Sequence, residues 1–162
     1  VTADPTDHTA QPELLEVTET ITAVVRGIVT PEQTVSFFDS SFGLLPPAIA
    51  AQAAVITGPA LSLWGTDSEN STEIEVGFPV DRRIQPDGAV VPGRLPAGRI
   101  ARIVHRGGFD TLGVTWGRLH TWITDRGLTP AADRWEVYLT EPNPQMDPAD
   151  LRTELNWTVG QS

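Results

Sequence analysis

The segment Arg134-Trp135-Glu136-Val137-Tyr138-Leu139 holds the densest group of residues able to do chemistry in this chain. Two aromatics and a β-branched residue within six positions read as a strand. Side chains alternate across a strand, so Glu136 and Tyr138 share a face with Arg134, while Trp135, Val137 and Leu139 line the other. A carboxylate beside a phenol can hold a cation or move a proton. The same pattern fits a plain, solvated Glu on the wet face of an antiparallel sheet. What the rest of the chain brings to that face decides between them.

Other chemistry is thin. His8, His105 and His120 lack the spacing of metal ligands, so no metal site is expected. His105 ends a strand ahead of two glycines and suits a structural hydrogen bond. Ser36, Ser40, Ser41, Ser62, Ser68 and Ser71 have no convincing base near them in sequence, and there is no Gly-x-Ser-x-Gly elbow. Gly107-Gly108 is too short to cradle a phosphate, and no cofactor is expected. Cysteine is absent. The 162 residues carry a net charge of -10, and every basic residue is an Arg. Such a field repels nucleic-acid phosphates and anionic membrane surfaces and attracts cations. No apolar run approaches the ~20 residues that span a bilayer. With no signal-like start either, the expected location is cytoplasmic.

The elements that must position these residues follow from periodicity and punctuation. Residues 1–12 read as a flexible tail and 13–162 as one domain. Leu14 to Val29, rich in β-branched residues, is one strand or two with Glu13, Glu16 and Glu19 outside. Thr30-Pro31-Glu32-Gln33 is a helix start, and Val35, Phe38 and Phe42 give that helix an apolar face. Pro46-Pro47 is expected to interrupt or kink it, with an Ala-rich turn after it. Ala60 to Gly65 and Glu73 to Val80 read as hairpin partners. Residues 81–98, with three prolines and three glycines, read as a linker. Arg99 to His105 is then a strand, Asp110 a helix cap, and Leu112, Trp116, Leu119 and Ile123 one helix face that stops at Gly127. Trp135 to Thr140 and Arg152 to Val159 are strands around a Pro-rich loop over 141–150.

The order strand, helix, strand, strand therefore occurs twice, over about 13–80 and 99–160. Val24-Val25-Arg26-Gly27 corresponds to Ile103-Val104-His105-Arg106, Leu63-Trp64 to Val137-Tyr138, and Glu75 to Val80 to Glu154 to Val159. This predicts an α+β fold: a duplicated β-α-β-β module with helices on one face of antiparallel sheets and a crevice along a pseudo-twofold axis.

A strand ending in His-Arg-Gly-Gly, a Trp-bearing helix ending in Arg-Gly, Trp-Glu-Val-Tyr at Trp135 to Tyr138 and the closing Leu151 to Val159 together carry a resemblance. The chain resembles the GyrI-like small-molecule-binding domain, also found as the effector-binding domain of AraC- and MerR-type regulators. The likeness runs from Glu16 to Val159 and is sharper in the second half. It implies a central cavity for aromatic, often cationic or amphipathic compounds, with Glu136 as the pocket acid and Tyr138 as its companion. Trp64 stands where the family often has a tyrosine. The regulators' DNA-binding helices have no counterpart in this sequence, which implies a stand-alone binding module.

Trp64 and Trp116 are candidate ligand-binding wall residues, with plain packing as the alternative. Phe38 and Phe42 are further candidates that suit a core role better, and Trp122 and Trp157 fall to packing or the surface. Three functions stay open: a small-molecule binder for sensing or sequestration, a hydrolase of cyclopropane-bearing natural products with Glu136 and Tyr138 catalytic, and an acidic protein-interaction inhibitor such as of gyrase. Nucleic acid is not an expected partner. The charge and the lack of a recognition-helix motif predict no mobility shift of duplex DNA by this chain at physiological salt.

Overall fold

The computed structural model describes residues 11–140 and 145–161, with backbone only at 66–68 and 161. Most of the expected tail and part of the 141–150 loop lie outside the described residues. The strands are β1 (Glu13–Val17), β2 (Thr20–Val29), β3 (Leu61–Ser68), β4 (Ser71–Pro79), β5 (Val90–Leu95), β6 (Gly98–Arg106), β7 (Leu128–Tyr138) and β8 (Arg152–Gln161). Helix α1 (Thr34–Ala51) follows β2, and α2 (Leu112–Asp125) follows β6, each through a short 3-10 turn. The eight strands form one sheet of order β1-β6-β8-β7-β3-β4-β2-β5, with antiparallel neighbours throughout. The order reads alike from either end, β6-β8-β7 answering β2-β4-β3, and the halves meet at β7 and β3.

Only Thr18-Glu19 separates β1 from β2, and only Pro96-Ala97 separates β5 from β6. The β1·β6 and β2·β5 ladders keep a single register, with Glu13 opposite Arg102, Val17 opposite Gly98, Thr20 opposite Leu95 and Val25 opposite Val90. One long two-stranded ribbon thus ties together the two ends of the strand order. Curling brings Leu95 and Ile100 onto Leu61 and Trp135 from the middle of the sheet, with Leu15, Val17, Leu63 and Val137 around them. This apolar cluster holds the sheet face that carries no helix.

Both helices lie on the other face. Register defines one row across six strands: Val25, Val76, Ser62, Glu136, Leu155 and Ile103. At one end α1 packs Leu45 and Ile49 against Val25 and Ala23. At the other, α2 packs Leu119 and Ile123 against Ile103 and Leu155. The middle of the row, Ser62 facing Glu136, is polar.

Some expectations are corrected. Helix α1 runs unbroken through Pro46 and Pro47. Both prolines are exposed, so water can satisfy the carbonyls of Phe42 and Gly43 that lose a donor, and nothing crowds Gly43. Buried Ser41, Leu45 and Ile49, spaced by four, hold the helix to the sheet on both sides of the prolines. Its buried stripe is this one, and Val35 is 71% exposed. Asp110 is not a helix cap: it lies inside the 3-10 turn Phe109–Thr111, which Gly108 precedes. The segment 81–98 contributes β5, an edge strand in the order, where Pro92 needs no second hydrogen-bonding partner.

Leu155 is fully buried beside Glu136, so Leu155→Ala should destabilise by roughly 2–5 kcal/mol in urea unfolding. Val35→Ala should stay within about 0.5 kcal/mol.

Candidate functional site

The central strands β3 and β7 lie between the areas covered by the two helices. Alternation puts Ser62 and Trp64 of β3 on the helix-bearing face, and the ladder sets Ser62 opposite Glu136 and Trp64 opposite Arg134. Glu136 is 6% exposed. Its Oε1 accepts from Tyr138 Oη at 2.8 Å and its Oε2 from Trp116 Nε1 of α2 at 2.9 Å. Ser62 Oγ lies 2.7 Å from Tyr138 Oη, and Trp64 Nε1 donates to Ser62 Oγ at 3.0 Å. Proton count fixes the direction. A phenol has one hydrogen, which Tyr138 directs to Glu136, so Ser62 donates to Tyr138. Trp64, Ser62, Tyr138 and Glu136 thus form a one-way relay, and Trp116 serves the second carboxylate oxygen. Aligned bonds of this kind polarise one another.

Aromatic rings close the site. Phe38 of α1 meets Tyr138 edge-on at 6.3 Å and stacks with Phe42 at 5.9 Å. Phe109, in the 3-10 turn ahead of α2, meets Tyr138 edge-on from elsewhere at 6.0 Å and is 43% exposed. Trp116 also has a cationic neighbour: the Arg134 guanidinium lies 5.6 Å from the rings of both Trp116 and Trp157, which meet edge-on at 5.5 Å. Among the described residues no ion pair reaches Glu136. Burial, and then the charge of Glu136, hold the Tyr138 phenol well above its usual range, and the Ser62 hydrogen bond opposes them only partly.

Of the residues proposed from sequence, five lie at this network, and Phe42 lies behind Phe38 in the core, against Phe78. Glu136, Tyr138, Trp64 and Trp116 share one hydrogen-bond network, and Phe38 stands beside it. Ser62 and Phe109 were missed. The i, i+2 spacing of Ser62 and Trp64 already placed them on one face, yet the partner of Ser62 is 76 residues away. His105 has the structural role expected: Nδ1 lies 2.6 Å from Thr115 Oγ1 and Nε2 lies 2.9 Å from the Gly108 carbonyl. No group of three or more His, Cys, Asp or Glu able to hold a metal occurs among the described residues. Two surface cavities, of about 540 and 410 Å³, have linings that include neither Glu136 nor Tyr138.

The model of the GyrI-like small molecule binding domain matches residues 10–159. The chain belongs to this family. The GyrI-like fold is similar to the C-terminal domain of EcmrR, with a TM-score of 0.76 at 23% identity over 94% of this chain and 98% of that one. Against EcmrR in its DNA complex the TM-score is 0.75 at 22% identity, and the likeness covers 94% of this chain and 58% of that one. A hydrolase from Listeria innocua is similar at a TM-score of 0.68 and 18% identity, over 93% of this chain and 92% of that one. SAV2435, bound to tetraphenylphosphonium, is similar at 0.68 and 10%, over 93% and 94%. At these identities the likeness is one of fold. No curated protein matches the sequence significantly. No helix of the described residues is long and apolar enough to cross a membrane.

Tyr138 is the only tyrosine of this GyrI-like domain, so its titration can be followed without interference from another phenol. Phenolate absorbance should appear near pH ~10 in denaturant and well above that in the native protein. A raised native value means that this group costs no stability below pH ~10 and lowers it progressively above. Tyr138→Phe should remove that share of the alkaline loss, read from melting temperatures across pH.

Proposed function

We propose that this GyrI-like domain binds a small aromatic cation between α1 and α2, with Glu136 as its counter-charge, for sensing or sequestration. One observation carries the reading: a carboxylate 6% exposed whose hydrogen-bonding partners, Trp116 and Tyr138, are both neutral. Desolvating a carboxylate costs roughly several kcal/mol, and two charge-assisted bonds at about 1.5–3 kcal/mol each do little more than offset it. The negative charge is therefore left for a guest to neutralise. Aromatic faces around it attract cations and cover flat apolar surface. SAV2435 with its bound tetraphenylphosphonium supports the choice of ligand class by analogy of fold. The guest takes the space now closed by the aromatic rings. Phe109, half-exposed on a short turn after Gly107-Gly108, is the ring freest to yield.

A second reading has its own support in the Tyr138–Glu136 bond of 2.8 Å. In a hydrolase of cyclopropane-bearing compounds, Glu136 takes a proton from water as its oxygen bonds to a ring carbon. Tyr138, held protonated by burial, gives its proton to the carbon released from the broken C–C bond. The proton on Glu136 then returns to Tyr138 along their hydrogen bond. The fold likeness to a Listeria innocua hydrolase agrees with this alternative.

Calorimetry on Glu136→Gln tests both. Gln keeps the shape, and its amide can donate to Tyr138, whose own hydrogen then turns to Ser62, while its oxygen still accepts from Trp116. Tetraphenylphosphonium should bind the variant about 1–3 kcal/mol more weakly, a neutral aromatic isostere much less so, and the apo variant should melt no lower than the wild type. Equal affinity of both proteins for both ligands would discard the counter-charge. In the hydrolase reading the variant binds a cyclopropane substrate and fails to turn it over.

A further inference from the structure

In a chain of net charge -10, three arginines converge on one cavity of about 410 Å³. Its lining is Arg26, Glu75, Arg83, Pro92, Gly93 and Arg94. Arg26 and Glu75 face each other across the β2·β4 ladder, one position off the row that carries Val25 and Val76. They therefore point away from the helices and from Glu136. Arg26 Nε is 3.2 Å from Glu75 Oε2, and an Arg26 terminal nitrogen donates to the Pro92 carbonyl at 3.3 Å, which fixes the side chain along the cavity wall. Arg94 makes a loose, exposed pair with Glu19 at 3.5 Å. Arg83 has no ion pair or hydrogen bond among the described residues. At the floor β5 packs tightly against β2, because residue 93 has no side chain. A Cβ there would stand 2.8 Å from Thr22 Oγ1 and 3.2 Å from Glu75 Oε1.

We propose that this cavity is a second binding site, for a small organic anion whose carboxylate or phosphate monoester head sits among Arg26, Arg83 and Arg94. Three guanidinium groups against two carboxylates, Glu75 on Arg26 and Glu19 on Arg94, leave a local positive excess at Arg83 in an otherwise anionic protein. The planar fork of Arg suits both head groups, which present two or more acceptor oxygens side by side. The neighbouring cavity of about 540 Å³ shares Arg26 and Glu75 and continues over Ile28 and Leu63 towards Glu73 and Asp133. Its apolar surface for the body of such a ligand is at Ile28, which is 66% exposed, and its far end is anionic, so the head group stays at the arginines. The charge and the sheet face both differ from those around Glu136, so this site takes a different ligand and stands independently of the function proposed there.

The experiment is a calorimetric titration at fixed ionic strength of wild type, Arg83→Ala and Arg94→Ala with phenyl phosphate and with benzoate. Both arginines are exposed, so the variants should melt as the wild type does. Saturable one-site binding by the wild type is expected, weakened about tenfold or more in at least one variant, as for loss of one charge-assisted contact. Tighter binding of phenyl phosphate assigns the head as phosphate monoester, and tighter binding of benzoate assigns it as carboxylate. No saturable binding of either compound overturns the proposal, and so does binding that neither substitution weakens.

Discussion

The structure turns on a carboxylate held out of water by neutral partners. Glu136 sits in the middle of a row whose other members, Ser62 excepted, are Val25, Val76, Leu155 and Ile103. Nothing apolar can satisfy its oxygens, and burying it unpaired would cost roughly several kcal/mol. Each compensating donor comes from a different part of the fold. Trp116 reaches down from α2, Tyr138 reaches along the same strand, and Ser62 and Trp64 support Tyr138 from the other half of the sheet. A change in how the halves meet would break the relay at the Ser62–Tyr138 bond.

The ribbon of β1–β2 against β5–β6 is what holds the halves in that relation. Its one register ties each half's leading strand to the other half, so neither can rotate without breaking a ladder. Curling the sheet also divides its residues into different environments. One face buries Leu61, Leu95, Ile100 and Trp135 against each other, while the other receives both helices and keeps a polar centre between them. The alternation of Trp135 and Val137 with Glu136 and Tyr138 is the local expression of that division.

Charge is divided in the same way. The negative excess of the chain includes the buried Glu136, which donates nothing and attracts positive charge, whereas Arg26, Arg83 and Arg94 gather on the opposite face. Arg134 is placed differently, against the faces of Trp116 and Trp157, where a cation is attracted by the π-systems. Trp116 thus links the two signs, with its N–H to the carboxylate and its ring near the guanidinium.

Local pattern alone determined much of this. Period-two alternation fixed which side chains of β7 share a face, β-branched runs marked the strands, and the repeated order of elements gave the α+β duplication. Those signals lie within a few residues of one another and need no distant partner. The path of α1 across Pro46-Pro47 was decided by tertiary structure, because burial of Leu45 and Ile49 outweighs the missing backbone donors. The strand at Val90–Leu95 likewise exists because β2 supplies its ladder, and a segment rich in Pro and Gly carries little preference of its own. Ser62 joined the site for the same kind of reason. A serine's role is set by what its hydroxyl meets, and only the β3·β7 pairing brings Tyr138 to it across 76 residues of chain.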